Sequence, residues 1–375
     1  MGYTDDLVSA LEEVVAPSAD DVDRNGTFPR AAMQRFGEVG ILGLASATDI
    51  GGGGEGLRAA ADVVNQVARH CSSTAMVLMM HYSGTAALEA HGAAEVRREI
   101  ASGRHLTTLA FSETGSRSHF WAPMSTAVPD DDGIRLDARK SWVTAAGEAD
   151  SYVWSSRPVD AEGPMTLWLV PSHAGGLTVS GPFDGLGLRG NASRPVTAEG
   201  VNVASGAILG EDGAGLDIGL SVILPWFLVM NAAASVGLME AVTNEAASHL
   251  ANTRLEHLDQ SLAQQPALRA ELARMRLETD KAASLLNDTI QAIETGREDA
   301  TLRVLEIKAA TADTAVHVAD QAMKVCGGAA FRKELGVERR LRDALAARVM
   351  APTTDALLDF VGRVLTGLPL MEGAG

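Results

Sequence analysis

The chain is poor in cysteine, in aromatic residues and in positive charge. Its 375 residues include only Cys71 and Cys326, and aromatic residues make up 4% of the total. Two distant thiols without CxxC or Cys/His spacing predict neither a disulfide framework nor a metal site, and they are typical of a reducing cytoplasm. Lys and Arg total 31 against 48 Asp and Glu, giving a net charge of −17. This balance disfavours a nucleic-acid partner, which needs a positive surface.

The sequence also lacks a signal-peptide pattern and a long uninterrupted apolar run. The first 17 residues are acidic and amphipathic, without a basic start or an apolar core. The longest apolar candidate, 216–236, is interrupted by Ser221, Pro225 and Asn231, so it falls short of the about 18 residues of a membrane span. We therefore expect a cytoplasmic protein without a membrane partner.

The rest of the sequence divides into three regions with different hydrophobic patterns. Apolar residues make up 46% of the chain, enough for a sizeable core. Apolar positions three and four residues apart predict N-terminal helices at 5–15, 30–39, 56–70 and 74–90. Short β-branched and apolar runs between turn-forming clusters then predict strands at 106–111, 134–138, 152–156, 165–170 and 196–203. Long periodic stretches predict a final set of helices at 215–252, 262–294, 299–325 and 337–367.

These three patterns predict an α+β fold with three domains. The first is an N-terminal helical domain, 1–104, and the second is a central antiparallel β-barrel, 105–213. The third is a C-terminal four-helix bundle, 214–375. A helical, then β, then helical order is uncommon and restricts the possible architectures.

Several short segments resemble the signatures of the acyl-CoA dehydrogenase family, in the family's order. They are FSETGSRS at 111–118, KSWVT at 140–144, LGEDG at 209–213, CGGAAF at 326–331 and the Glu-Arg/Arg-Asp-Ala pattern at 338–344. Each segment alone is weak evidence for the family. Their occurrence in the same order over more than 200 residues is strong evidence. The resemblance implies that family's fold and an FAD cofactor.

The resemblance assigns the flavin ring to the central region. It implies that Trp142 packs near the ring, that Thr144 and the backbone of Phe111 and Ser112 bond its edge, and that Ser118 contacts flavin or substrate. Trp142 could instead be a core residue of its strand. Because Thr144 follows two positions later, both side chains should lie on one strand face, which favours the cofactor role.

The resemblance assigns the rest of the cofactor to the C-terminal region. Arg254 corresponds to an arginine that binds the flavin pyrophosphate of a neighbouring subunit, as a guanidinium can, and His257 is expected on the adenine side. Gly327 and Gly328 would let the adenosine half approach, although a helix C-cap explains them equally. This shared site implies a homodimer or homotetramer.

Two further positions near the C-terminus, Thr353 and Asp355, align with flavin-contacting positions. Asp355 is interpreted as structural or cofactor-facing.

The family's catalytic glutamate is missing. Its place, eight residues after Asp343, is occupied by Ala351, and the alternative position on the first bundle helix falls near Phe227. Loss of a general base costs on the order of 10²–10⁴ in rate. The candidate substitutes are His81, which could equally be a satisfied core residue, and His119, beside Phe120-Trp121.

Three functions remain open on the sequence. The first is an FAD-dependent oxidoreductase that oxidises an acyl thioester or similar small molecule with a displaced base and passes electrons to an acceptor. The second is a flavin-dependent monooxygenase of the same fold, using reduced flavin supplied by a reductase. The third is a non-catalytic flavoprotein or scaffold.

Overall fold

The N-terminal region of the computed structural model is helical, as the periodicity predicts. The structure describes residues 2–116, 119–131 and 133–371. Its first helices are α1 (Tyr3–Ala10), α2 (Ala16–Arg24), α3 (Arg30–Glu38), α4 (Leu57–His70), α5 (Ser72–His91) and α6 (Ala94–Ala101). A π-helical turn, Leu11–Val15, joins α1 to α2. Helix α5 is buried along nearly its whole length, because it is apolar on every side.

The central region forms two open four-stranded sheets. Its strands are β1 (Thr107–Ala110), β2 (Thr126–Asp130), β3 (Gly133–Val143), β4 (Ser151–Ser156), β5 (Thr166–Pro171), β6 (Leu177–Val179), β7 (Arg194–Val203) and β8 (Ile208–Leu209). One sheet has the order β1-β4-β5-β8 and the other has the order β2-β3-β7-β6. The predicted antiparallel barrel is wrong in two respects for the described residues: the sheets do not close, and β1 pairs with β4 in parallel.

The C-terminal region is helical again. Its helices are α7 (Gly215–Ile218), α8 (Leu224–Asn252), α9 (Pro266–Glu294), α10 (Ala300–Cys326), α11 (Val337–Val349) and α12 (Thr354–Thr366). A short hairpin of β9 (Arg254–Leu255) and β10 (Gln260–Ser261) separates α8 from α9. The last predicted stretch, 337–367, is thus two helices, since Pro352 cannot continue a helix.

One helical stretch in the described part of the chain, Gly215–Asn252, is long and apolar enough to cross a membrane by length and composition. Of its most apolar window, 78% is buried inside the protein. That burial is typical of a core helix.

The chain divides into two compact units. The first comprises the residues up to Val63, Ser73–Gly185 and Arg189–Phe227, and therefore holds both four-stranded sheets. The second comprises Val64–Ser72, Leu186–Leu188 and the residues from Leu228 onward, and holds most of the C-terminal helices. The α+β fold class is confirmed; the three-domain boundaries at 104 and 213 stay a prediction.

Candidate functional site

A buried ion pair fixes the loop after β1 against β3. Lys140 lies on β3, and its Nζ contacts Glu113 Oε1 at 2.5 Å while both side chains are almost fully buried. The two main chains are also bonded, because Thr114 N donates to Arg139 O (3.2 Å) and Ser141 N donates to Ser112 O (2.9 Å). The backbone of Ser112 and strand β3 just before Trp142 are therefore held side by side.

Both charges of this pair are fully hydrogen-bonded. The Lys140 ammonium also donates to Ser155 O (2.7 Å) and Ser155 Oγ (2.9 Å). The Glu113 carboxylate accepts Met124 N (2.6 Å), Ser125 N (3.0 Å) and the Ser125 hydroxyl. Burial acts to raise the pKa of Glu113, but the adjacent ammonium and these donors outweigh it and lower the pKa below its usual value. The pair is therefore a satisfied structural network.

Trp142 lies at the end of β3 with 70% of its surface exposed. Its φ of 57° is left-handed, and the pairing of β3 with β7 shifts register between Lys140 and Val143. This bulge interrupts the strand alternation, so Thr144 is fully buried and its Oγ1 lies 3.1 Å from Ser193 Oγ. The prediction that Trp142 and Thr144 share a strand face is wrong, and so is the alternative that Trp142 is a core residue.

The residues around Trp142 fit a planar cofactor ring. A flavin needs a flat apolar surface and hydrogen-bonding groups at its edge. The exposed indole would supply the surface, and the half-exposed Phe111 and Ser112 would supply backbone groups other than Ser112 O, which accepts Ser141 N. A flavin contact of Thr144 stays a prediction, and Ser118 lies outside the described residues.

The histidines predicted as substitute bases lie in contrasting environments. His81 is fully buried on α5; its Nε2 lies 3.0 Å from Leu42 O, and its Nδ1 accepts Thr107 N at 3.2 Å. Burial lowers the pKa of His81 to about 4. With both ring nitrogens bonded to backbone, His81 matches the other interpretation of the sequence, a satisfied core histidine.

His119 is exposed, with Nδ1 3.1 Å from Ser116 O and its ring centroid 5.0 Å from that of Trp121. Its catalytic role stays a prediction.

In the second unit, Arg254 and His257 lie on the exposed β9–β10 hairpin. The Arg254 guanidinium bonds the Asp259 carboxylate, and both side chains are largely exposed. An exposed ion pair contributes little stability, so this guanidinium remains available to a phosphate. Pyrophosphate binding by Arg254 and adenine contact by His257 stay predictions.

Gly327 ends α10 in a conformation that few residues other than glycine adopt. Its φ is 58° and its ψ is −141°. A side chain at Gly327 or Gly328 would meet open space, with nothing within 4 Å of an added Cβ. The C-cap interpretation is therefore confirmed for Gly327, and the open space remains compatible with an approaching ligand.

The segment 350–353 joins α11 to α12 and contains the missing-base position. Ala351 is half-buried, Thr353 caps α12 by accepting Ala356 N at 3.4 Å, and Asp355 is exposed in the first turn. The two carbonyls flanking Ala351 are bonded by the buried Lys308, at 2.8 Å to Met350 O and 2.7 Å to Pro352 O. On α8, Phe227 is largely buried, and Glu240 is paired with Arg69 at 2.7 Å.

Sequence reasoning missed Glu113, Lys140 and Lys308 as individual residues. Glu113 and Lys140 lie inside the two segments that carry the resemblance, but their contact joins positions 27 residues apart. Lys308 is a single lysine among small and apolar residues of a helix, a pattern that marks either a buried charge or a solvated edge.

Comparison with known proteins assigns the family. Models of the acyl-CoA dehydrogenase N-terminal, middle and C-terminal domains match residues 4–103, 108–201 and 213–366. Short-chain specific acyl-CoA dehydrogenase of Homo sapiens mitochondria is 28% identical over 362 residues, covering 92% of this chain and 84% of that protein.

Solved structures show the same fold. Butyryl-CoA dehydrogenase from Megasphaera elsdenii superposes with a TM-score of 0.89 at 22% identity, covering 97% of this chain and 98% of that one. The prolyl acyl carrier protein oxidase AnaB superposes with a TM-score of 0.88 at 20% identity, covering 97% of both chains. The chain belongs to the acyl-CoA dehydrogenase family and has the fold of its flavin-dependent oxidoreductases.

Proposed function

We propose that this protein is an FAD-dependent oxidoreductase that oxidises an acyl thioester, or a similar small molecule, without a carboxylate at position 351. Family membership supports the reaction class, and Ala351 is the observation that makes the base non-standard. Among the relatives, one acts on short acyl-CoA and another on a prolyl group attached to a carrier protein, as their names state. Either form of attachment is compatible with the proposal.

The proposed reaction needs a group that removes the α-proton of the thioester. A bound flavin supplies the hydride acceptor. The protein's part is to hold the substrate and to take the proton, and the alanine side chain at 351, where the family has its glutamate, cannot take it. His81 is a poor candidate for this role because its ring nitrogens are bonded to Leu42 O and Thr107 N. The exposed His119 remains available.

The second candidate function is oxygenation. A flavin-dependent monooxygenase of this fold needs no α-proton base, so Ala351 and the occupied ring of His81 are both compatible with it. The reductant would then be a separate flavin reductase rather than the thioester. A scaffold role is distinguished from both by failure of the purified protein to take up FAD.

Anaerobic reduction of the bound flavin by acyl-CoA thioesters of graded chain length tests the proposal. We expect slow bleaching in the wild type and faster bleaching in Ala351→Glu, up to the about 10²–10⁴-fold that a positioned base contributes. Pro352 restricts the backbone of residue 351. The double variant Ala351→Glu/Pro352→Gly, with Pro352→Gly as its matched control, therefore separates a badly placed carboxylate from an ineffective one.

Each function predicts a different result in this assay. Absence of thioester-driven bleaching in all variants, with reduction by an external reductase intact, would replace dehydrogenation by oxygenation. In that case Ala351→Glu should not raise activity, and it should lower it to the extent that the half-buried position desolvates the new carboxylate. A colourless protein that takes up no FAD on titration would leave the scaffold role.

A further inference from the structure

Lys308 is a fully buried lysine whose amino group is committed to the main chain around position 351. It lies on α10, which packs against α9, α11 and α12. Its Nζ donates to Met350 O at 2.8 Å and to Pro352 O at 2.7 Å. These are the carbonyl groups of the residues immediately before and after Ala351. The Lys308 side chain therefore bonds the main chain on both sides of position 351.

Burial of this amino group carries a desolvation cost, which its hydrogen bonds have to offset. Among the described residues no carboxylate lies within ion-pair distance of Lys308, and desolvation lowers its pKa to about 7. A methionine of similar length would fill the same space without the desolvation cost. What methionine would lack is the pair of hydrogen bonds, so those bonds are what the lysine provides.

The segment has few other restraints at this point. Met350 N donates to Ala346 O (3.1 Å) at the end of α11, and the Thr353 hydroxyl caps the start of α12. Between these two bonds, Lys308 satisfies the carbonyls on both sides of Ala351. Met350 has a second neighbour, since Asn231 Nδ2 lies 3.7 Å from its Sδ. Ala351 itself is only half-buried, so a side chain at 351 reaches partly open space.

We propose that Lys308 is a positioning residue, which fixes the main chain on both sides of position 351 and thereby sets where the side chain of residue 351 points. Its catalytic consequence rests on the proposed function, in which position 351 faces the substrate. The two hydrogen bonds from Lys308 to Met350 O and Pro352 O, called the Lys308 clamp below, do not depend on the reaction. Lys308 acts through the backbone and takes no proton from the substrate.

Thiol labelling measures the clamp without substrate or turnover. A cysteine is introduced by Ala351→Cys, and its rate of labelling by iodoacetamide is measured in the FAD-loaded protein. The rate is compared between the Ala351→Cys variant and the Ala351→Cys/Lys308→Met double variant. The native Cys71 and Cys326 are 5% exposed and provide a slow background. Loss of the two hydrogen bonds from the buried amino group should speed labelling of position 351 by about tenfold. The matched control is Lys281→Met, which removes an exposed lysine of α9 and should leave the rate unchanged.

The outcomes separate the clamp from general destabilisation and from the proposed reaction. Faster labelling at position 351, with unchanged background labelling and unchanged flavin absorbance, supports the clamp. An equal labelling rate in a folded Lys308→Met protein overturns it. If Lys308→Met does not fold, Lys308→Leu, which also removes both hydrogen bonds, takes its place with the same two outcomes.

Flavin reduction then tests the catalytic consequence. The change produced by Ala351→Glu should be lost in the Lys308→Met background, because the two positions are coupled through the backbone. A change of equal size in both backgrounds contradicts the positioning role. If acyl-CoA reduces no variant, the proposed function fails while the labelling result for Lys308 still stands.

Discussion

His81 shows how a titratable side chain in an apolar helix can be structural. The neutral ring bridges Leu42 O and Thr107 N, and the protonated ring could not accept from Thr107 N. Burial is the main reason that the pKa of His81 is lowered to about 4. The folded protein therefore keeps the ring neutral over a pH range in which the unfolded chain protonates it.

We expect His81→Leu to lower the free energy of unfolding by about 1–3 kcal/mol at pH 7.5, because two buried backbone groups lose their partners. The wild type should lose stability as pH falls from about 6.5 to about 4, since its unfolded state binds the proton first. The variant lacks this group, so the difference between the two should shrink over that window. Thermal unfolding from pH 4 to pH 8 measures both.

One result would instead support a catalytic role for His81. Flavin reduction that is lost in His81→Leu at unchanged stability would identify the ring as a catalytic group. His119→Leu serves as the comparison, because His119 is exposed and its loss should leave stability nearly unchanged.

At the scale of elements, the Glu113–Lys140 pair joins the loop after β1 to β3. We expect Glu113→Gln to destabilise the protein by about 3–5 kcal/mol, because it leaves the Lys140 charge buried without its counter-ion. The double variant Glu113→Gln/Lys140→Met should be less destabilised than that single variant. Both should weaken FAD binding if the loop holds the ring, as followed by flavin fluorescence on titration.

The stabilities and FAD affinities of the single and double variants distinguish the possible roles of the ion pair. Equal stabilities of the single and double variants would show that the buried lysine tolerates loss of its partner. Wild-type FAD affinity in a destabilised Glu113→Gln protein would show that the pair supports the sheet without setting the flavin site.

Hydrophobic periodicity predicted the helices well because most of them bury one face. The predicted helices at 30–39 and 56–70 correspond to α3 (Arg30–Glu38) and α4 (Leu57–His70). The helix α2, Ala16–Arg24, was missed because polar and charged residues occupy much of it. The strands were also largely located, but whether a sheet closes depends on pairing between distant strands, which local pattern does not encode.

The site was predicted less completely than the fold. The resemblance pointed to the segment around Trp142 through a motif and to Ala351 through its spacing from Asp343, and the roles of both stay predictions. The shared face of Trp142 and Thr144 was predicted wrongly, because a bulge in β3 changes the alternation and the local sequence does not indicate that bulge. Lys308 bonds a segment 42 residues further along the chain, a contact set only by the packing of α10 against the last helices.

At the scale of the whole molecule, several large apolar residues of the second unit are exposed. Phe331, which follows the Gly327-Gly328 turn, is 86% exposed, and Leu258 on the hairpin of Arg254 is 50% exposed. Exposed apolar residues of this size are frequent where proteins associate. Their position beside the predicted cofactor residues favours a self-associating protein with a shared FAD site.

We therefore expect a homodimer or homotetramer in which Arg254 binds the FAD pyrophosphate of a neighbouring subunit. Arg254→Ala should weaken FAD binding by about tenfold, because a charge-assisted hydrogen bond is lost, while the mass in sedimentation stays that of the oligomer. Arg276→Ala, which removes another exposed arginine of the same unit, should leave FAD affinity unchanged. A strict monomer with full FAD occupancy contradicts the shared site, because each chain would then hold its cofactor alone.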